Sequence, residues 1–329
     1  MPSKDSNVAI NANTRESLFK RFDWRSYIVY IAFIVVLIYF SISLYSDGFL
    51  TVGNLLNIIR QTAMISIMGA AMTFVISTGE IDLSVGSTAA LASLTTALAL
   101  ENGWGLAVAI IIGLGTGLII GIVNGLLVTK ANIPSFLVTL GMMSIVSGLA
   151  MWITGTSPVT IIDSTFNFVF GGGDIGPVPI LLIWTLVIAI IAHILLRKTK
   201  FGRQTLATGG NENAARFSGI NTLKIKLYAF VGTGVMAALA GMLYAGRLHA
   251  GRYTLGTGDE LSVIAAVILG GTSLFGGVGT VIGTIIGSLM IGTINNGLII
   301  AGLDVSQQTM IRGLIIILAV AFGKKTLKK

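Results

Sequence analysis

The chain is predicted to be an all-α integral membrane protein with about ten transmembrane helices. Three observations predict it. No ionisable side chain occurs from Leu261 to Leu303, a run long enough for about two crossings at ~20 residues per helix. The 329 residues are 54% hydrophobic and only 10% charged, against about 25% charged in a soluble domain. There are 42 glycines, and small residues let helix backbones approach closely in lipid. Near-continuous apolar segments argue for one membrane domain over residues 26–323. It is preceded by a polar tail at 1–25 and followed by a basic tail at 324–329.

Apolar runs bounded by charge, glycine or proline place the spans at 26–46, 54–78, 83–101, 104–129, 133–154, 178–197, 225–247, 261–278, 281–302 and 308–323. The boundaries near Gly79–Gly86 and Gly276–Gly279 read equally as turns or as breaks inside the membrane. The net charge of +8 is a topology signal rather than a nucleic-acid footprint. Most basic residues fall in four clusters: Lys4, Arg15, Lys20, Arg21 and Arg25; Lys130; Arg197, Lys198, Lys200, Arg203, Arg216, Lys224 and Lys226; and Lys324, Lys325, Lys328 and Lys329. The positive-inside rule puts all four in the cytoplasm. Ten crossings then return the C-terminus to the side of the N-terminus. The loop 155–177, with Asp163 and Asp174 but no Lys or Arg, falls outside. The first apolar run is too long for the core of a cleavable signal and lacks a clear cleavage site.

A short internal repeat accompanies this topology. Asp82-Leu83-Ser84-Val85 recurs as Glu260-Leu261-Ser262-Val263, and Gly121-x-x-Asn124-Gly125-Leu126 is echoed by Gly292-x-x-Asn295-Asn296-Gly297-Leu298. Each pair runs in opposite directions across the membrane, the inverted arrangement common in transporters. Gly117, Gly121 and Gly125, and Gly279, Gly283 and Gly287, recur every four residues and are expected to form packing faces. Phe166, Phe168 and Phe170 are expected to pack the loop 155–177 onto the bundle, and this loop is the best candidate to receive an external partner.

The segment 198–224 is the one long cytoplasmic connection between spans. Within it Asn211 suits an N-cap, Glu212 the first turn and Gly219 a C-terminal stop. A helix of about two turns is expected, with small Ala214 and Ala215 on it. It reads either as an element that fits a groove on a soluble partner or as a basic connector lying on anionic lipid. Charges inside spans are costly, so each survivor has a use. Arg60 and Arg312 are expected to snorkel or pair. Glu80, Asp82, Ser84, Asn124, Phe275, Asn295 and Asn296 are the candidates for a translocation path or gate. Capping and ion pairing compete for the two acids, and interhelical hydrogen bonding for the asparagines.

Several chemistries are excluded. The absence of cysteine removes disulfides, thiolate catalysis and cysteine-ligated metals. His193 and His249 lack a partner at ligand spacing, so no metal site and no catalytic residue is assigned. The nearest approach to a phosphate-binding loop, Gly323-Lys324-Lys325-Thr326, has Lys where Ser or Thr is required. Energy for transport would have to come from another chain.

The wording GGNENAARFSGI, from Gly209 to Ile220, resembles the coupling loop of ABC-importer permeases of the ribose, xylose and galactoside branch. STGEIDLSVGS (Ser77 to Ser87), IPSFLVTLG (Ile133 to Gly141) and the segment Ala265 to Leu298 resemble further signatures of that family, in family order. The resemblance implies a transport subunit of a permease dimer, not an enzyme, in the bacterial inner membrane with both termini cytoplasmic. It implies a cytoplasmic ATPase partner that holds ATP and Mg, an extracytoplasmic solute-binding protein, and no cofactor or nucleic acid bound by this chain. Gly209, Gly210, Asn211, Glu212, Ala214, Ala215, Arg216 and Gly219 become the ATPase-coupling element. Glu80 departs from the family, where a small residue is usual. The few fixed charges within the spans point to a neutral, hydroxyl-rich cargo, a monosaccharide by resemblance. A nucleoside, a furanosyl quorum signal or an amino acid remain open within the family. An ion-coupled secondary transporter would have to use Glu80 or Asp82.

Overall fold

The computed structural model describes residues 24–324; the tails 1–23 and 325–329, with most of the terminal basic clusters, lie outside the described residues. Twelve helices carry the fold: α1 Trp24–Ser43, α2 Val52–Ser77, α3 Val85–Glu101, α4 Leu106–Thr129, α5 Ser135–Thr154, α6 Ile180–Lys198, α7 Lys200–Gly210, α8 Glu212–Phe217, α9 Thr222–Leu248, α10 Asp259–Leu269, α11 Val281–Ile300 and α12 Val305–Lys324. Six of them, α2, α4, α5, α6, α9 and α11, are long and apolar enough to cross a membrane. This is a multi-pass, almost wholly helical membrane protein.

Burial separates an inner from an outer set. The apolar window of α2 is 83% buried and those of α9 and α11 are 61% buried, whereas α5 and α6 reach only 22%. A helix apolar on every side belongs in the interior, and α2 is buried without interruption from Thr62 to Ser77. The outer helices direct large aliphatic side chains away from the protein, among them Ile145, Leu186, Ile190 and Ile194. Such a surface suits lipid and would be an aggregation hazard in water.

The interior packs backbone to backbone. Residue Gly121 of α4 faces the Phe230 carbonyl of α9, where a Cβ would stand 2.6 Å away, and Gly117 meets Gly234. Gly125 sits on Leu227, and Gly283 and Gly287 of α11 lie on Gly270 and Ala266. The spacing 117–121–125 is therefore a packing face, as are Gly283 and Gly287, whereas Gly279 lies before α11 and meets Ser77 and Thr73 of α2. Helices α2 and α11 are further joined by polar pairs: Ser66 Oγ to Ser288 Oγ at 2.5 Å and Thr73 Oγ1 to Thr284 Oγ1 at 2.8 Å. In lipid such interhelical bonds contribute about 0.6 kcal/mol each on average.

Two expectations from sequence are corrected. The eighth apolar run is not one helix over 261–278: α10 stops at Leu269. Eleven residues rise ~16 Å, half of a ~30 Å hydrocarbon core. Residues 270–280 follow as irregular backbone, with Gly271, Gly276 and Gly277 at φ +91°, +80° and +79°. The segment 198–224 holds two helices rather than one, because α7 precedes α8.

The loop 155–177 is ordered against the bundle. Its strand β1, Val159–Thr160, pairs antiparallel with β4, Ala250–Gly251; Asp174–Ile175 (β2) and Val178–Pro179 (β3) form a second short ribbon. Phe166 and Phe170 are buried and stack at 4.8 Å, and Trp184 of α6 continues the stack, while Phe168 is exposed. Arg60 of α2 pairs with both oxygens of Asp174 at 2.7 and 2.8 Å. Pairing, not snorkelling, explains this arginine.

Candidate functional site

Three side-chain caps shape the segment between α6 and α9. Thr199 Oγ1 accepts from the Gly202 amide at 3.3 Å and starts α7. Asn211 has extended backbone, and its Oδ1 accepts from the Ala214 amide at 3.0 Å to start α8. Asn221 Oδ1 accepts from the Lys224 amide at 3.0 Å to start α9. Each cap satisfies a donor that the first helical turn leaves open. Gly219, at φ +82°, lets the chain reverse after α8. Ala215 and Thr222 are buried beneath α8, whereas Asn213, Ala214, Arg216 and Phe217 are exposed. Phe217 is 92% exposed.

The end of α7 is seated at a junction of three segments. Gly277 N–H donates to Ser77 O at 3.0 Å, joining the irregular segment 270–280 to the last residue of α2. Gly209 fills the space above this bond, so closely that a Cβ there would collide with the Ser77 carbonyl and stand 2.7 Å from Gly277 N.

Beside it runs an ion cluster. Lys226 Nζ lies 2.7 Å from Glu80 Oε1 and 2.8 Å from Glu212 Oε2. Glu212 Oε1 accepts from Arg216 at 2.6 Å and from Thr222 Oγ1 at 3.1 Å. Burial pushes the Glu212 carboxyl up, but the hydrogen bond and charge of Lys226, with the bonds from Arg216 and Thr222, hold it below the usual carboxylate range.

Two residues beyond Glu80, a buried polar cluster fixes the start of α3. Asp82 Oδ1 accepts from Ser84 N at 2.9 Å and Ser84 Oγ at 2.7 Å, and its Oδ2 accepts from Thr233 Oγ1 of α9 at 3.0 Å. Asn124 Nδ2 of α4 donates to Ser84 Oγ at 2.8 Å. The break between α2 and α3 is thus tied to α4 and α9 at once.

A family model described as "Branched-chain amino acid transport system / permease component" matches residues 54–320. The chain belongs to this family. Among similar proteins, the permease is 43% identical to "Ribose import permease protein RbsC" of Bacillus subtilis, covering 89% of this chain and 90% of that protein. It is 40% identical to the RbsC protein of Escherichia coli K12, over 86% and 89% of the two chains. It is 36% identical to "L-arabinose transport system permease protein AraH" of the same strain, over 92% and 91%. No solved structure matches the chain.

Of the site residues expected from sequence, the permease brings Asp82, Ser84 and Asn124 into one cluster and joins Glu80 to Glu212 through Lys226. Asn296 is elsewhere: its amide exchanges two 2.9 Å hydrogen bonds with Asn54 of α2. Asn295 is half-buried beside it, and Phe275 stands exposed on the 270–280 segment. Gly209 and Gly210 close α7 rather than lie on α8. Sequence reading missed Lys226 as a bridge and Phe217 as an exposed aromatic. The signal for Phe217 was present, since a lone aromatic on a six-residue polar helix has no core to enter. Among the described residues no group of three or more His, Asp or Glu side chains is placed to hold a metal.

Proposed function

We propose that this permease is the membrane-spanning subunit of an ATP-driven ABC importer that carries a monosaccharide. The observation that carries this reading is near-full-length similarity to ribose and arabinose permeases, at 43% and 36% identity. In this reading the chain works in a bacterial inner membrane as a dimer with a second permease subunit. A cytoplasmic ATPase subunit binds ATP and Mg, and a solute-binding protein delivers sugar from outside. The chain itself binds no cofactor.

Orientation follows from the basic clusters: both tails, Lys130 and α7–α8 are cytoplasmic, and loop 155–177 faces the binding protein. The exposed face of α8, with Ala214, Arg216 and Phe217, docks the ATPase, and buried Ala215 fixes the helix beneath. The exchange of packing partners between two halves supports an inverted repeat of α2–α3–α4 with α9–α10–α11. Helix α2 packs on α10 and α11, and α9 packs on α3 and α4. The first residues of α3 and α10 meet where Gly86 faces Gly256 and Glu260. Ten crossings fit if α3 and α10 are partial spans, each completed by the irregular backbone before or after it. The path then runs along this seam, where the buried polar residues gather, and the loss of fixed charge elsewhere suits a neutral cargo.

The test is uptake of radiolabelled ribose by proteoliposomes that hold the permease with its ATPase and binding protein. Uptake is expected to require ATP inside the cytoplasm-equivalent compartment and to persist with a protonophore. Uptake driven by an ion gradient without ATP would overturn the reading.

A further inference from the structure

The cation between Glu80 and Glu212 joins three separate elements. Glu80 lies in the break between α2 and α3, Glu212 is the first residue of α8, and Lys226 stands in the second turn of α9. A surface lysine is satisfied by one carboxylate and water. Here the Lys226 and Glu80 side chains are only 13% and 15% exposed, and the ammonium touches both acids within 2.8 Å. The cluster closes electrically: two carboxylates, Glu80 and Glu212, face two cations, Lys226 and Arg216. Among the described residues Glu80 pairs with no other cation.

We infer that Lys226 is a positioning residue that couples α8 to the break at 78–84, so that movement of α8 is passed to Glu80 and onward to the start of α3. The inference rests on the reading of α8 as the ATPase-docking helix. Its mechanical logic is local. Helix α8 is only Glu212–Phe217 and ends at Gly219, so besides the seat of buried Ala215 it is its side-chain bonds that fix it to α9. Those bonds are Arg216 Nε to Thr222 Oγ1 at 2.9 Å and the Glu212 contacts with Thr222 and Lys226. Displacing α8 therefore drags Lys226 or breaks its pairing. On the other side, Glu80 is two residues from Asp82, whose three hydrogen bonds bind the break to α9 and, through Ser84 and Asn124, to α4. The end of α7 meets the second irregular segment through Gly209 and Gly277. The α7–α8 unit consequently touches both breaks, one through backbone and one through this ammonium.

A purely stabilising ion pair would hold the same residues together but would not alter how ATP hydrolysis is spent. The discriminating quantity is ribose moved per ATP hydrolysed, measured in proteoliposomes containing the complete complex and its loaded binding protein. Glu80→Gln removes one arm and leaves the Lys226–Glu212 pair. It is expected to leave ATPase co-purification and hydrolysis intact and to lower ribose per ATP about fivefold or more, the span of a typical coupling energy. Lys226→Met is expected to act alike, Lys226→Arg to restore most of the ratio, and the Glu80→Gln/Lys226→Met double variant to be no worse than Lys226→Met alone. An unchanged ratio in assembled Glu80→Gln and Lys226→Met complexes would overturn the inference. So would loss of ATPase binding by Glu80→Gln, since the bridge would then shape α8 rather than carry its motion. If Lys226→Met fails to insert, Glu80→Gln decides the matter alone. A parent complex that never binds an ATPase would sink the functional reading itself, a result separable from a normal parent with normal variants.

Discussion

Gly209 shows how one missing side chain positions a whole segment. Its Cα hydrogen occupies the space over the bond between Gly277 N–H and the Ser77 carbonyl. Gly209→Val places three carbons there, and overpacking of a tight contact costs about 1–3 kcal/mol. Purified permease carrying it is expected to melt at lower temperature, whereas Gly115→Ala, with no atom within 4 Å of the new Cβ, is expected to melt as the parent does; differential scanning measurements on detergent-solubilised protein check both. Glu212 gives a pH signature. Its carboxyl is held below its ordinary value, so its contribution to the anchoring of α8 is complete above the unfolded carboxylate pKa and is lost as pH falls through the lower folded value. Limited proteolysis at 211–219 is expected to be unchanged from pH 8 down to about 5 and to rise below the ordinary carboxylate pKa of about 4.3; Glu212→Gln is expected to be cleaved readily at every pH. Residue-scale features were legible where they are local. Asn211 followed by Glu212 and then Gly219 spells a capped helix within nine positions. The Glu80–Lys226 pair was not, because nothing in one chain says which of seven clustered cations an isolated acid will meet after folding.

Helix α8 is the element on which a partner's motion would act, and its exposed face is small. Phe217 is the large apolar group on it, 92% exposed, and buried aromatic anchors dominate most interfaces. Phe217→Ala is expected to weaken co-purification with the ATPase subunit about tenfold or more while leaving the melting temperature of the isolated permease unchanged; titration by surface plasmon resonance reads it, and equal affinity would remove Phe217 from the docking face. Element existence was legible from apolar runs, because each of the six long spans is strongly apolar over most of its length, with its few charges mainly near the ends. Element ends were legible less often. The glycines after Leu269 stop α10, yet Gly283 and Gly287 a few residues later sit inside α11 as packing positions. Glycine serves both purposes, and only the neighbours decide which. Helix α7 was missed because Lys200–Gly210 is polar on average and short; Phe201, stacked on Phe74, and Leu206 pack it against the core, with Thr199 capping one end and Gly209 at the junction on the other.

At the scale of the whole molecule, one long apolar helix, α6, separates the loop 155–177 from the α7–α8 unit. If α6 crosses the membrane once, the two must open on opposite faces. Charge predicts which face is which, since the α7–α8 region is basic and 155–177 carries only acids. The chain contains no cysteine, so single thiols report sidedness without background. Ala214, on the open face of α8, and Ile162, 88% exposed in the loop, are the positions of choice. Ala214→Cys is expected to react with a membrane-impermeant maleimide in inverted vesicles and not in right-side-out cells, and Ile162→Cys the reverse. Labelling of both from one side would overturn the crossing by α6 and the orientation read from charge. Helix α8 and the loop 155–177 could not then serve an ATPase and a binding protein on opposite sides, as the proposed transport cycle requires.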